Sequence, residues 1–275
     1  MIRIKTKEDI AILREGGKRH AEIMRALVAL VKPGVETIEL DRALVRLIEE
    51  TDRKYSKGDK LSGDKSAILG FLPYGADRAY PASICISVND EVVHGIPTEN
   101  NMVLEDGDVV SLDFALIHNG MVTDMAVTVP VGDISPELVA LLETTKKALM
   151  AGIKAVKAGV RVGDVSTAIE RVGRAAIPGG SKKGYGIVEE LVGHGVGYSV
   201  HEPPYVPNYI AGVQSENPVL PAGTVIAIEP MFNLGSKDVT IDDDGYTIRT
   251  EDGMSSAHFE HTVLVTKGGA EILTA

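Results

Sequence analysis

The segment LEDGDVVSLD, residues 104–113, returns in altered form as LPAGTVIAIE, residues 220–229. The offset between the two is 220 − 104 = 116 residues. Each segment contains a short apolar run that ends in an acid, and such a run predicts a buried β-strand. A second pair, VKPGVETIEL at 31–40 and VKAGVRVGDV at 156–165, has an offset of 156 − 31 = 125 residues. The chain therefore contains an internal repeat.

A third pair of segments strengthens the repeat. NGMVTDMAVTV at 119–129 loosely matches DGMSSAHFEHTVLV at 252–265, with one short insertion. The order helix–helix–strand–strand thus occurs twice. We expect two related halves packed about a pseudo-twofold axis in one α+β domain. Nothing between the halves resembles a long linker, so this single domain is expected to span residues 1–275.

Hydrophobic periodicity and capping residues predict the individual elements. Thr6 is expected to cap the first helix, Thr37 the second and Ser135, followed by Pro136, the third. The polar, glycine-containing segment 52–66 predicts a loop. The predicted helices lie at 6–31, from 37, from 135 and at 162–176, and the predicted strands at 82–88, 92–94, 108–117, 121–131, 224–229, 246–249 and 257–266.

Composition limits the class of protein. The chain has 275 residues, 44% of them hydrophobic, and a formal net charge of −11 without a Lys/Arg-rich run, which argues against a nucleic-acid partner. Cys85 is the single cysteine, so no intrachain disulfide forms. The first residues lack the apolar core of a signal peptide, and the longest apolar runs are far shorter than a membrane span. We expect a cytoplasmic globular protein.

Four acids occupy matching positions in the repeat. Asp113 falls opposite Glu229, and Asp124 falls opposite Glu260, each in a segment that otherwise predicts buried strand. A buried carboxylate costs several kcal/mol unless it is paired or bound to metal. Four carboxylates that converge at the axis would repel one another, and they carry enough charge to hold two divalent cations. The sequence therefore predicts a metal site between the halves.

A single strand acid usually lies on a solvated face or in a salt bridge, and four symmetry-matched acids reverse that expectation. A salt bridge remains open for Glu260, which follows Arg249 by eleven residues. Carboxylates with a minority of imidazole suit Mn, Fe, Co or Zn. His194, between two glycines, is the natural imidazole ligand, and His94 is likewise followed by glycine. The roles of His258 and His261, which flank Glu260, stay open at this point.

Taken together, these segments resemble the type I methionine aminopeptidases, which share the pita-bread fold with Xaa-Pro peptidases and creatinase. The resemblance covers nearly the whole chain, and it implies that the two halves surround a curved antiparallel sheet. Its motifs are IKTKEDIAILREGG and VKPGVETIELD near the start, then YPASICISVNDEVVHGIP, GDVVSLDFALIHNGMVTDMAVTV, GHGVGYSVHEPP, GTVIAIEPM and SAHFEHTVLV.

The resemblance implies a site with two divalent ions, cobalt, manganese, iron or zinc. The implied ligands are Asp113, Asp124, His194, Glu229 and Glu260, with Asp124 and Glu260 bridging. A water activated by the metals would attack the first peptide carbonyl, and Glu229 would also act as general base. The implied catalytic set is completed by the two histidines that do not bind metal, His94 and His201, which would contact the substrate.

The chain departs from the family's pattern in the substrate pocket. Val200 stands where Phe is common, and Tyr246 stands where many members have Trp. The segment PYGADRAYP, residues 73–81, replaces a tighter GYxGYP. Tyr74 is our assignment for the earlier tyrosine of that motif. The predicted substrate-binding residues are His94, His201, Tyr80, Cys85, Val200 and Tyr246.

The implied function is removal of the initiator methionine from nascent chains with a small second residue. The alternatives are an Xaa-Pro peptidase of the same fold and a non-catalytic peptide-binding relative. Xaa-Pro peptidases usually carry an extra N-terminal domain, whereas the first helix is expected here near residue 6. A degenerate relative would have lost metal ligands. The expected partner is the N-terminal Met of nascent polypeptides, the expected state is a monomer, and ribosome association stays open.

Overall fold

The computed structural model of the chain describes residues 1–56, 61–73, 75–176, 184–210 and 217–275. It has the mixed α+β architecture that the repeat predicts. The helices are α1 (Lys7–Val28), α2 (Thr37–Tyr55), α3 (Pro136–Ala155) and α4 (Val162–Ala175). Among the described residues, no helix is both long enough and apolar enough to cross a bilayer.

The strands follow the same division into halves. In the first half they are β1 (Lys65–Ser66), β2 (Cys85–Val88), β3 (Glu91–Val93), β4 (Val109–His118) and β5 (Met121–Pro130). In the second half they are β6 (Gly186–Ile187), β7 (Gly193–Gly195), β8 (Glu202–Val206), β9 (Val225–Ile228), β10 (Met231–Asn233), β11 (Val239–Ile241), β12 (Ile248–Thr250), β13 (Ser256–His258), β14 (His261–Val265) and β15 (Ala270–Ile272).

Antiparallel pairing builds one main sheet in each half. In the first half, β4 pairs with β1, β2 and β5. In the second half, the strand order is β15-β14-β9-β7-β8. Two three-stranded sheets, β13-β10-β6 and β11-β12-β3, complete the described strands. One buried apolar cluster joins α1 and α2 to β2 and β4, and another joins α3 and α4 to β9 and β14.

Backbone hydrogen bonds at matching positions of the two halves confirm the repeat. Gly34 N–H donates to Leu104 O, and Gly159 N–H donates to Leu220 O. The offsets, 159 − 34 = 125 and 220 − 104 = 116, are those found in the sequence. Isolated β-bridges repeat the relation, linking Glu36 to Val103 and Arg161 to Val219. The loops before α2 and α4 are therefore held in the same way in both halves.

The halves meet along β5 and the β13–β14 segment. Glu260 N–H donates to Ala126 O over 2.8 Å. Thr262 Oγ1 both accepts from Asp124 N–H and donates to Asp124 O, each over 2.7 Å. Thr128 Oγ1 likewise bonds the backbone of His258 in both directions. These bonds fix the acid-bearing segments of one half against those of the other.

The predicted helix starts hold at two of three positions. Thr6 caps α1 through a reciprocal pair of bonds with Asp9, and Ser135 caps α3 ahead of Pro136. The prediction of Thr37 as cap of α2 is wrong, because Glu36 is the cap and Thr37 is the first helical residue. The Thr37 hydroxyl instead accepts from Met102 N–H.

The polar segment 52–66 is not wholly a loop. Helix α2 continues to Tyr55, and Lys65–Ser66 pairs with β4. Between them, the Asp52 carboxylate accepts backbone N–H groups from Ser62, Gly63 and Asp64. Buried Arg19 contacts both Asp52 and Asp64. Charge-assisted bonds therefore hold the described part of this polar segment against α1.

Two asparagines cap α2 and α4 from outside the helices. Asn101 Oδ1 accepts from Ile38 N–H over 3.1 Å, and Asn217 Oδ1 accepts from Gly163 N–H over 2.8 Å. We predict that Asn101→Ala and Asn217→Ala each lower the free energy of unfolding by about 1 kcal/mol, because each leaves a first-turn N–H without its acceptor. Urea denaturation checks this. The control Asn217→Asp keeps the oxygen and should stay near wild type, whereas unchanged stability in both alanine variants contradicts the assignment.

Candidate metal centre

Two acids of the first half project from neighbouring strands onto one face. In the β4–β5 ladder, Asp113 lies opposite Ala126 and Asp124 lies opposite Ala115. Residues 113 and 115 of β4 share a face because side chains alternate along a strand. Asp124 therefore shares that face as the diagonal neighbour of Asp113, within reach of a common ligand.

The two acids of the second half lie next to a pair of facing strand residues. Ile228 of β9 lies opposite His261 of β14. Glu229 follows the first of these residues and Glu260 precedes the second, so the two acids flank the end of the same ladder. Because Glu260 also bonds Ala126 of β5, the acids of the second half are held beside those of the first.

His194 joins the acids from β7, which pairs with β9. One ligand atom each from Asp124, His194 and Glu260 lie within 4.8 Å of one another. His194 Nε2 is 3.3 Å from Glu229 Oε1. Its other nitrogen, Nδ1, lies 3.0 Å from Gly195 O, a contact that assigns the proton to Nδ1 and leaves the Nε2 lone pair facing the acids. The structure thus brings His194 and the four predicted acids together.

Burial makes the acid cluster electrostatically unfavourable. It raises the pKa of Asp124 to about 7. Burial, together with the charges of the neighbouring acids, raises the pKa of Asp113, Glu229 and Glu260 well above the ordinary range. The pKa of His194 falls to about 3, first through burial and then through His201, so its imidazole is neutral. Neutral imidazole and clustered carboxyl oxygens are the donors that divalent transition metals take.

The hydrogen bonds and salt bridges of the four acids are consistent with a bound cation among them. Glu260 Oε1 is fully buried and has no hydrogen-bond partner, which is costly for a carboxyl oxygen. Within the described ranges, Asp113, Asp124, Glu229 and Glu260 form no salt bridge with Lys or Arg. Arg249, the alternative partner of Glu260, pairs instead with Asp90, Glu91 and Asp242. Divalent cations would supply the missing positive charge.

The two histidines outside the ligand set lie at the same centre. The rings of His194 and His201 meet edge to face, with centroids 4.5 Å apart. His94 has φ 62°, a left-handed conformation that is uncommon for a residue with a side chain. Burial, with a smaller contribution from His201, lowers the pKa of His94 to about 4. Both imidazoles are therefore neutral at physiological pH and able to donate or accept a hydrogen bond.

Three predicted pocket residues form one buried cluster beside the acids. Tyr80, Cys85 and Tyr246 pack together with Ile96, and the two tyrosine rings meet edge to face at 5.2 Å. Cys85 lies opposite Asp113 in the β2–β4 ladder. The Tyr80 hydroxyl donates to Gly95 O over 2.7 Å. The cluster therefore contacts both the acid-bearing strand and the turn that carries His94.

Of two further predicted residues, the structure describes Val200 but not Tyr74. Val200 is buried in an apolar cluster that also contains Phe71, so its predicted role as a pocket residue stays a prediction. Tyr74 lies outside the described residues. The aromatic ring that the structure places against His201 is Phe71, with centroids 5.7 Å apart. The sequence assignment missed Phe71, although the preceding Leu69-Gly70 marks a turn.

Two backbone hydrogen bonds, which we call the neck, join residues 70 and 71 to Tyr80 and place Phe71 at the site. Gly70 N–H donates to Tyr80 O, and Tyr80 N–H donates to Phe71 O. Phe71 and Tyr80 therefore lie side by side at the pocket wall. Arg78 anchors the segment between them through a bidentate pair with Glu99.

His258 is a second residue that the sequence left unassigned. It is almost fully buried, and its Nε2 lies 3.7 Å from Glu229 Oε2. Neither ring nitrogen has a hydrogen-bond partner. His261, by contrast, bonds Thr274. Of the two histidines beside Glu260, His258 thus contacts the centre.

The chain is similar to known metallopeptidases over its whole length. A methionine aminopeptidase of Aquifex aeolicus is 41% identical over 99% of this chain and 98% of its own. The crystal structure of methionine aminopeptidase from Thermotoga maritima has a TM-score of 0.86 at 36% identity, covering 100% of this chain and 99% of its own.

A prolidase from Pyrococcus furiosus, at 20% identity, shares the fold over 99% of this chain and 65% of its own, with a TM-score of 0.69. These likenesses confirm the predicted pita-bread fold. The family description "Metallopeptidase family M24" matches residues 11–267. With that match and the identity to its relatives, the chain belongs to metallopeptidase family M24.

Proposed function

We propose that this protein is a methionine aminopeptidase that hydrolyses the first peptide bond of chains with an N-terminal Met and a small second residue. The observation that carries the proposal is the convergence of Asp124, Glu229 and Glu260 on His194, with Asp113 as the strand neighbour of Asp124 and the His201 ring against that of His194. The names of the full-length relatives agree with this activity. An Xaa-Pro peptidase is less well supported, because the prolidase likeness is limited to the fold.

Five residues would hold two divalent ions: Asp113, Asp124, His194, Glu229 and Glu260. This set fits because its buried carboxyl groups lack a basic partner in the described part of the chain and because Glu260 Oε1 is unpartnered. When bound, the ions would supply an activated water and hold the substrate's free α-amino group. Cobalt, manganese, iron and zinc all suit such a ligand set.

The chain's own residues would orient the substrate and move protons. Glu229, whose carboxylate faces both His194 and His258, would take a proton from the attacking water and deliver it to the leaving amine. His201 would donate a hydrogen bond to the substrate's peptide group. His94, held neutral by burial, would contact the substrate nearby.

The methionine side chain would be bound by the apolar cluster around Tyr80, Cys85 and Tyr246. Phe71 would extend this wall toward His201. A thioether suits such a pocket because sulfur makes favourable contacts with aromatic rings.

Both halves contribute ligands, so we propose that residues 1–275 act as a single catalytic domain. The proposed setting is the cytoplasm, and the proposed partner is the N-terminal Met of nascent polypeptides. We propose that the chain acts as a monomer, because all five ligands come from one chain.

An assay of peptide substrates tests the activity. After reconstitution with Mn, Fe, Co or Zn, we expect release of Met from Met-Ala-Ser and little cleavage of Ala-Pro peptides. The Nα-acetylated form of Met-Ala-Ser is the control and should stay intact, because its blocked amino group cannot bind the centre. Absence of Met release with every metal would refute the proposal, and cleavage of Ala-Pro peptides alone would favour the Xaa-Pro alternative.

Metal content tests the ligand assignment independently of turnover. Asp113→Ala should lose most of the bound metal, with affinity reduced at least tenfold, while circular dichroism stays native. Asp133→Ala removes the same charge from an exposed position and serves as the matched control. Equal metal content in the two variants, measured by elemental analysis, would contradict the role of Asp113.

The pH dependence of stability tests the electrostatics of the centre. Raised carboxyl pKa values mean that the folded metal-free protein holds more protons than the unfolded chain, so its stability falls as pH rises. Below pH 7 the buried histidines oppose this trend, because their lowered pKa values favour the unfolded state in acid. Between pH 7 and 8.5 the buried histidines are already neutral, so they no longer oppose the trend set by the acids.

We therefore predict that the stability of chelator-treated protein falls over pH 7 to 8.5 by about 1.4 kcal/mol per pH unit for each proton retained. Urea denaturation at several pH values measures this slope. Added Co²⁺ should abolish it, and Glu260→Gln should reduce it. A flat profile in the metal-free wild type would show that the folded protein retains no extra protons on these acids, and it would contradict the raised carboxyl pKa values.

A further inference from the structure

Lys5 and Glu202 form a buried ion pair beneath the loop that carries His201. Lys5 Nζ lies 2.9 Å from Glu202 Oε2, and the two side chains are 1% and 3% exposed. Burial lowers the pKa of Lys5, which shows that this charge is held away from water. Because desolvation offsets much of the attraction in such a pair, its contribution to stability alone is a weak reason for its presence.

The second oxygen of Glu202 organises the loop itself. Glu202 Oε1 accepts the backbone N–H groups of Tyr198 over 2.5 Å and Ser199 over 3.1 Å. The Ser199 hydroxyl in turn donates to His201 O over 2.8 Å. One carboxylate therefore closes residues 198–202 into a tight turn, with His201 next to the anchoring residue.

Residues 3–9 hold this turn from the other side. The Arg3 guanidinium lies 3.9 Å and the Lys5 ammonium 4.6 Å from the centroid of the Tyr198 ring. The Tyr198 hydroxyl donates to Asp9, and Lys5 N–H donates to Gly223 O. Tyr198, which starts the turn, thus contacts two cations and one anion of residues 3–9.

His201 has little else to fix its position. Its ring contacts are the edge-to-face pairs with His194 and Phe71. Within the described ranges, the imidazole makes no hydrogen bond, and the residue is exposed. The placement of this ring therefore depends on the backbone that Glu202 and Lys5 organise.

We propose that Lys5 and Glu202 are positioning residues that hold His201 in place to meet the substrate. The proposal rests on the proposed function, since it assumes that His201 contacts the peptide. Lys5 lies in the segment preceding α1 and touches neither the acids nor the pocket cluster, so its effect on turnover would pass through the turn. A displacement of a contact group by about 1 Å can lower a rate by up to a hundredfold.

A double-mutant cycle separates this role from a general loss of stability. Lys5→Met should lower kcat/KM for Met-Ala-Ser about tenfold or more while metal content stays at the wild-type level. In a His201→Ala background the same change should have almost no further effect, because the group that it positions is gone. Arg14→Met, which breaks an exposed ion pair between α1 and Glu271 of β15, is the matched control and should leave kcat/KM unchanged.

Amide hydrogen exchange measures directly how firmly the turn at residues 198–202 is held. In Lys5→Met the N–H groups of Tyr198 and Ser199 should exchange at least tenfold faster, while the N–H of Val196, bonded to Val225, stays protected. If Lys5→Met does not fold, Glu202→Gln takes its place, because it keeps the side-chain shape and removes the ion pair.

The outcomes are distinct. Equal losses from Lys5→Met with and without His201, or unchanged kcat/KM and exchange, would overturn the positioning role. A wild-type protein that releases no Met would refute the proposed function instead. The exchange measurement would still test whether Lys5 and Glu202 hold the turn at residues 198–202.

Discussion

Mutual repulsion among four clustered carboxyl groups, two of them buried and two half-buried, is the constraint on which the rest of the structure depends. Asp113 and Asp124 come from one half, and Glu229 and Glu260 from the other. Left uncompensated, they would push the halves apart or keep their protons, as the raised pKa values show. The bonds of Thr262 and Ala126 across the junction hold the acids close in spite of this repulsion. The fold thus keeps these carboxyl groups close together, and bound cations would reduce the repulsion between them.

The repeated half gives the centre its symmetry, and the strands beside it break that symmetry. In the first half, β2 lies beside β4 and places Cys85 opposite Asp113. In the second half, β7 lies beside β9 and brings His194. One half therefore supplies apolar side chains next to its acids, and the other supplies imidazole. In the proposed function, the apolar flank would receive the methionine side chain, and His194 would add an imidazole ligand to the acids of both halves.

The repeat made the four acids predictable, the resemblance of the motifs indicated the family, and the comparisons confirm the fold and the family. Short-range signals located all four helices, but Glu36 rather than Thr37 caps α2 because the Thr37 hydroxyl is occupied by Met102 N–H. Strands β7 and β8 escaped prediction, since glycine and proline dominate them and they are paired only through tertiary contacts. Phe71 was missed for a related reason. Its place depends on the bonds that join residues 70 and 71 to Tyr80, which no local pattern reveals.

The neck at residues 70, 71 and 80 has a consequence for how this enzyme can diverge. The segment between Phe71 and Tyr80 contains none of the five proposed metal ligands, and Arg78 O within it accepts a hydrogen bond from the Tyr246 hydroxyl. Its length and composition can drift, or be redesigned, while Phe71 and Tyr80 keep their places. In the proposed function, substrate preference would therefore change at this rim without a change in the metal ligands, which lie on or beside strands of the two main sheets.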